Sequence, residues 1–379
     1  MTPRENLLRV FRHEVPEWIP IVGHVDPYNQ PNRRGMDPAL AEKLGQVQWC
    51  DENTITFSRY LGLDVMDYLG PPLRSIRKNV AVESSQDGPD TVTTWHTPKG
   101  DLREVRRLTR ADGTSYLVEH LVKGPADLPA LAAIFEDERL ELDPDGVEHV
   151  RKRSRLIGDD GMLMLFMPAT PLGMMYRVYT RVETLAYLWA DCPAALHDLF
   201  AVMEANYRQQ YRLAAQTAAD ALVTMDDTST SVISPRMFEE FSLGYTQRLA
   251  HITHEAGKLY FHHSCGLIRD LLEIYRRTPM DGVHAFTIPP IGNVTVAEGR
   301  RRLRIPDSHG NRITIMAGLT QLFGSLDDWP AVSRSVREMF EAVRPGDHFI
   351  ASLAADPEKD MDDTRRLLDE CREYQMKKR

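Results

Sequence analysis

The sequence predicts an α/β fold: one closed (β/α)8 TIM barrel with an N-terminal helical extension and a small antiparallel insertion. Three observations predict it. Eight short apolar runs, at 19–23, 65–69, 162–167, 221–225, 258–262, 282–286, 313–317 and 348–353, alternate with helical stretches along the 379 residues. Several of these runs are almost continuously apolar, as parallel strands covered on both faces must be. No G-x-G-x-x-G follows the first run, which disfavours the open doubly wound sheet, the other arrangement of alternating strands and helices.

Taken in order, the chain opens on MTPRENLLRVFRHE, an amphipathic charged helix rather than a signal peptide, and feeds the first strand. Helices are expected over 51–61, 193–218, 235–256, 268–277 and 328–343. The fourth strand leads into the helix at 235 through Ser234-Pro235, a good N-cap followed by proline at the first helical position. Between the second and third barrel strands the alternation breaks. Residues 91–95, 102–108 and 116–122 read as strands around the turns Pro98-Lys99-Gly100 and Ala111-Asp112-Gly113. An antiparallel insertion over about 91–122 is therefore expected, as a lid or docking edge on a single domain spanning 1–379.

Composition excludes several functions. Apolar residues make up 42% and charged residues 27%, which suits a globular core. No stretch approaches the roughly 20 apolar residues of a membrane span, so no membrane partner is expected and the location expected is cytoplasmic. The net charge of −9 argues against nucleic-acid binding. The basic triplets Arg151-Lys152-Arg153 and Arg300-Arg301-Arg302 read as solvated helix faces. The four cysteines, Cys50, Cys192, Cys265 and Cys371, lack C-x-x-C spacing, so a functional one would act as a thiolate or metal ligand. Methionine, present 16 times, signals adaptable packing.

In such a barrel, chemistry gathers at the C-terminal ends of the strands. The strongest signal there is Tyr260-Phe261-His262-His263-Ser264-Cys265-Gly266. Side chains two apart on a strand share a face, so His263 and Cys265 can point to one zinc ion, while His262 faces away in a structural role. The bland alternative is a core histidine beside a small buried thiol. The second signal is Met225-Asp226-Asp227-Thr228. One of Asp226 and Asp227 is expected to face the site as acid, base or ligand, since adjacent residues diverge. Gly23-His24-Val25-Asp26 offers His24 and Asp26 as substrate contacts or as turn-forming residues. Asp67 lies near the second strand end and is a further catalytic candidate. The Met174–Tyr179 aromatics read as core and lid packing, with Tyr176 the candidate substrate contact.

These residues carry a resemblance. The Arg4-Glu5-Asn6-Leu7-Leu8 opening, Thr97-Pro98-Lys99-Gly100, the Ile233-Ser234-Pro235 helix start with Phe238 and Phe241, His263-Ser264-Cys265-Gly266 and Met316-Ala317-Gly318 follow in order. Together they resemble the uroporphyrinogen decarboxylase superfamily, and within it the cobamide-dependent methyltransferase branch. That branch implies zinc held by H-x-C and a distant Cys, with a methyl group exchanged with a corrinoid. His263 and Cys265 match the H-x-C. The family's last loop reads like SPGCG, whereas here it is Ser352-Leu353-Ala354-Ala355-Asp356, with Ala355 in place of the cysteine. A third ligand would then come from Asp356, Asp226, Asp227 or His24. The decarboxylases carry an Arg-rich RQAGRY element after the first strand. The corresponding His24-Val25-Asp26-Pro27-Tyr28-Asn29-Gln30 has an acid instead and is a poor cradle for a polycarboxylate, although Asp67 could match their substrate-binding Asp.

The function expected from the resemblance is a zinc-assisted methyltransferase. It would move a methyl group from a small methoxylated or methylated compound to a corrinoid protein or free cobalamin, supplied in trans. A metal-free decarboxylase and a non-catalytic, ligand- or partner-binding barrel are the alternatives. Self-association as a homodimer is left open.

Overall fold

The computed structural model describes residues 1–24, 37–39, 42, 52–109, 115–304, 312–319, 327–354 and 361–376. Asp26, Cys50, Ala355, Asp356 and the turn at 111–113 lie outside the described residues. The strands are β1 (Ile21–His24), β2 (Val65–Leu69), β3 (Leu73–Ile76), β4 (Ala81–Asp87), β5 (Asp90–Thr97), β6 (Gly100–Leu108), β7 (Ser115–Glu119), β8 (Arg139–Leu142), β9 (Gly161–Met167), β10 (Ala221–Thr224), β11 (Leu259–His263), β12 (Gly282–Phe286), β13 (Thr314–Gly318) and β14 (Phe349–Ala354). Eight of them form one parallel sheet in the order β2-β9-β10-β11-β12-β13-β14-β1. A parallel bridge from Val22 to Asp64 brings its two edges together and closes the barrel. Each predicted run falls within two residues of its strand.

Strand alternation separates two apolar layers. In β2, Met66 and Tyr68 turn inward to meet Met162, Met164, Ala221, Val223, Phe261, Met316 and Ile350. Val65 and Leu69 turn outward to the helices. Four methionines thus fill the narrow interior, where an unbranched side chain adapts to irregular space. The N-terminal helix, Pro3–Phe11, seals the floor of this interior with Leu7, Val10 and Phe11. Phe11 meets Phe261 edge-on at 5.2 Å. Thr2 and Glu5 form a reciprocal capping box at the start of this helix, and Arg4 anchors it to Asp220.

The two basic triplets are not solvated faces throughout. Arg151 and Lys152 are exposed, but Arg153 is fully buried and grips Asp67 with Nε–Oδ2 at 2.9 Å and Nη2–Oδ1 at 2.8 Å. Arg300 is likewise buried, with Nη2 2.6 Å from Asp347 Oδ1. The helix Pro144–Ile157 buries Val150, Arg153 and Ile157, so the arginine stands on the apolar stripe and carries a partner inward with it.

The antiparallel insertion is larger than expected. Strands β4 to β7 form a four-stranded sheet, and β3 pairs with β8 at its base, so the break in the barrel runs over 73–142 rather than 91–122. Sequence reasoning missed β3, β4 and β8; of these β4, Ala-Val-Glu-Ser-Ser-Gln-Asp, is exposed along its whole length and has no apolar alternation. It is defined by pairing with β5, from Ala81↔His96 to Asp87↔Asp90. The expected helix at 268–277 is only a turn of 3-10 helix, Arg269–Leu271, and Leu272–Tyr275.

Candidate active site

Adjacent strands β11 and β12 place two histidines side by side. Alternation along β11 puts Phe261 and His263 inside and His262 outside, and the register pairs His263 with His284. Their Nδ1 atoms lie 2.7 Å apart. His263 directs Nε2 to Asp227 Oδ1 at 2.8 Å, and Asp227 is held in turn by Arg177 Nη2 at 2.8 Å. His284 directs Nε2 to the Tyr68 hydroxyl at 3.1 Å. Tyr68 stacks on Phe166 at 4.6 Å, giving the pair an aromatic wall. In β12 the register slips between Val283 and Phe286, and Ala285 takes φ 58°, so both of those apolar residues pack outward while His284 turns in.

The end of β10 supplies the carboxylates, and the two diverge. Asp226 is fully buried. Its Oδ1 accepts from Thr170 N at 2.8 Å and Thr170 Oγ1 at 2.7 Å, and its Oδ2 accepts from Thr228 Oγ1 at 2.9 Å. A Cβ on Gly173 would stand 2.0 Å from Asp226 Oδ1, so only glycine fits beside it. Asp227 takes φ 47°, a left-handed conformation that Asp tolerates, and this turns its side chain to His263. A π-helical turn, Met175–Tyr179, clamps this strand end. From it Tyr176 donates its hydroxyl to the carbonyl of Asp226, and Arg177 reaches the carbonyl of Met225. Burial pushes the Tyr176 phenol well above its ordinary range.

Beyond β11, Cys265 stands beside His263 and receives the Thr287 hydroxyl at 3.8 Å. Hydrogen bonding from His263 pulls the Cys265 thiol below its ordinary value, against the effect of burial. Burial opposes charge on His263, yet hydrogen bonds to Asp227 and Cys265 outweigh it and raise the imidazole. Burial likewise opposes ionisation of Asp227, but His263 and Arg177 hold its carboxyl below the usual range. Gly266, at φ 135°, makes the sharp exit, and a Cβ there would meet Ser229 Oγ at 2.7 Å. The same Ser229 hydroxyl accepts from Leu267 N at 3.1 Å, which ties the loops after β10 and β11 together.

The structure brings His263, Cys265 and Asp227 together from the sequence-derived candidates, and keeps Asp226 and Tyr176 just behind them. Asp67 is elsewhere: it points out of the barrel to Arg153 and Thr54, because its neighbours Met66 and Tyr68 occupy the inward positions. His262 is fully buried, with Nε2 2.9 Å from Thr228 Oγ1, in the structural position expected of it. His24 ends β1, paired with Ala354. Sequence reasoning missed His284, Tyr68 and Arg177. A lone histidine in an apolar strand was the available signal for the first, and parity with Met66 for the second.

The gathered donors, two imidazoles, a thiol and a carboxylate, are of the kind zinc takes. They stand at hydrogen-bond spacing, and among the described residues no three His, Cys, Asp or Glu form a ready-made metal cage. The family model for uroporphyrinogen decarboxylase (URO-D) matches residues 110–374. The chain belongs to the uroporphyrinogen decarboxylase family. No curated protein matches it by sequence. Among solved structures, a methyltransferase from Methanosarcina mazei superposes over 99% of this chain and 99% of its own, with a TM-score of 0.62 at 14% identity. An endoglucanase from Bacteroides salanitronis covers 95% of this chain and 93% of its own, with a TM-score of 0.47 at 8% identity. The first likeness is one of fold, and it runs over the whole chain. Among the described residues no helix is long and apolar enough to cross a membrane.

Proposed function

We propose that this member of the uroporphyrinogen decarboxylase family is a corrinoid-linked methyltransferase that demethylates a small methoxylated or methylated compound, with zinc held by His263 and Cys265. The observation that carries this reading is His263 at the end of β11, bound to Asp227 at 2.8 Å, with Cys265 two residues beyond it. The full-length likeness to a methyltransferase supports it. Bound there, zinc would supply Lewis-acid polarisation of the donor heteroatom. Asp227 holds the Nε2 proton of His263, and Arg177 holds Asp227 in place. Thr287 stabilises the sulfur of Cys265 as an anion. Phe166 and Tyr68 make the wall apolar, which strengthens each of these interactions. The barrel interior is packed with side chains, so a corrinoid must be presented from outside, on a separate protein or as free cobalamin. Asp67, on which a decarboxylase reading leaned, is turned away and paired with Arg153.

The test is single-turnover demethylation of a panel of methoxylated and methylated compounds by the purified chain, followed through the absorbance of added cob(I)alamin. Methyl transfer that requires cobalamin, together with about one zinc per chain that a His263→Ala, Cys265→Ala double variant loses, is the expected result. Full turnover by metal-free protein, or conversion of uroporphyrinogen to coproporphyrinogen, overturns the reading.

A further inference from the structure

We propose that the cavity between the antiparallel insertion and the barrel is a binding site for a small uncharged aromatic molecule that carries an oxygen acceptor. Register pairs Trp95 of β5 with Val82 on one side and Leu102 on the other. This face of the sheet meets the helix Leu128–Asp137. Leu102 is buried in the contact, while Trp95 is half-buried. A cavity of about 200 Å³ lies here, walled by Trp95, Phe135, Tyr179 and Tyr207. Phe135 meets the other two phenyl rings edge-on, Tyr179 at 6.0 Å and Tyr207 at 5.7 Å. The volume suits a single substituted ring, since an apolar protein cavity of about 150 Å³ accepts benzene.

The polar groups of the wall set the charge of the occupant. Arg77 pairs with Glu138, and its guanidinium lies 5.2 Å over the Trp95 ring. The other Glu138 oxygen accepts from Asn206 Nδ2 at 2.8 Å, so both carboxylate oxygens are engaged and the arginine's charge is balanced. Two donors are left over. Arg77 Nε and Trp95 Nε1 are buried and have no partner among the described residues. A buried N–H without an acceptor is costly, and an occupant that offers an oxygen lone pair removes that cost. A carboxylate or phosphate would bring its charge against Glu138, and an ammonium would meet only donors. A carbonyl or ether oxygen fits. Water could satisfy the donors but not the aromatic wall, whereas a ring with one oxygen satisfies both.

Among the described residues neither His263, Cys265 nor Asp227 lines this cavity. Tyr179, however, closes the π-helical turn from which Tyr176 and Arg177 hold the end of β10. An occupant therefore touches the element that positions Asp227 without reaching His263.

The experiment uses three probes of equal heavy-atom count. Acetophenone carries a carbonyl, α-methylstyrene has CH2 in place of that oxygen, and benzoate has a carboxylate. The full chain, labelled with 5-fluorotryptophan at its five tryptophans, is followed by fluorine NMR. The Trp95 line is the one that Trp95→Phe or Trp95→Tyr removes. Acetophenone is expected to move that line and to bind about 3–10-fold more tightly than α-methylstyrene, the difference one hydrogen bond makes. Benzoate should leave the line in place. In Trp95→Phe, which keeps an aromatic wall without the N–H, saturation-transfer NMR should show the preference for acetophenone narrowed. A Trp95 line that no probe moves leaves the cavity to water and overturns the site. Equal affinity for acetophenone and α-methylstyrene, or tighter binding of benzoate, overturns the assigned chemistry.

Discussion

Replacing Arg153 with methionine tests whether Asp67 belongs to the chemistry or to the framework. The Asp67 and Arg153 side chains are 4% and 0% exposed, and the arginine contacts both carboxylate oxygens, so the pair is desolvated and bidentate. Burial alone raises the Asp67 carboxyl above its ordinary value, and Arg153 works against that shift. Removing the arginine leaves a buried carboxylate with little beyond the Thr54 hydroxyl at 3.2 Å. Breaking a buried pair from one side costs about 3–5 kcal/mol. At a urea m-value of about 3 kcal/mol/M, the unfolding midpoint should fall by roughly 1–1.7 M. Removing both partners, as Arg153→Met with Asp67→Leu, should recover most of the loss, since a hydrophobic pair of similar volume is often neutral or better. Urea unfolding followed by circular dichroism measures this, and demethylation rates of the double variant at low temperature complete the test. A loss under about 1 kcal/mol in Arg153→Met, or a double variant that is stable but catalytically dead, would refute the structural role.

Two further outcomes follow from charge. In chelator-treated protein at pH 7, Cys265 should be alkylated by iodoacetamide faster than the buried Cys371, whose thiol is pushed up by burial. Its rate–pH midpoint should lie below the free-thiol value of about 8.5 and rise in His263→Gln; peptide mass spectrometry at each pH reads both, and an unmoved midpoint counts against the His263–Cys265 pair. Burial lifts the Asp64 carboxyl to about 6, with Trp18 and the Ile21 amide opposing. The folded chain therefore keeps a proton that the unfolded chain releases near 4, so this residue makes stability fall as pH rises from about 4 to 6, by about 3 kcal/mol at 1.36 kcal/mol per unit. Asp64→Asn should flatten that slope in urea midpoints taken at pH 4.5 and 7, and a slope equal to wild type speaks against it.

The barrel was legible because a parallel strand covered on both faces must be written in apolar residues, and each of the eight runs is. Strand β4 was not, because a wholly exposed strand is defined by its partner rather than by its own pattern. The inward turn of His263 was readable from the period of two along a strand, whereas Cys265 lies two residues past the strand's end, where that period no longer applies. Proximity to a strand end suggested the mouth for Asp67, but the same period sets it outward, since the inward positions belong to Met66 and Tyr68. His284 was not legible because it stands inside an apolar strand, whereas the polar residues that mark a barrel mouth follow the strand ends. Charge usually marks solvent, but Arg153 and Arg300 stand three and four residues from buried apolar neighbours on their helices, a spacing that marks the buried face.

The N-terminal helix has a kinetic consequence. With Leu7, Val10 and Phe11 filling the bottom, the barrel is closed at that end. Under the function proposed above, a small donor and a bulky macrocycle would have to share the other end. The donor would be seated before the macrocycle covers the opening, and the demethylated product would be held until the macrocycle departs. Under that function, the order of arrival and departure would be set from the opposite end of the barrel, by a helix of nine residues.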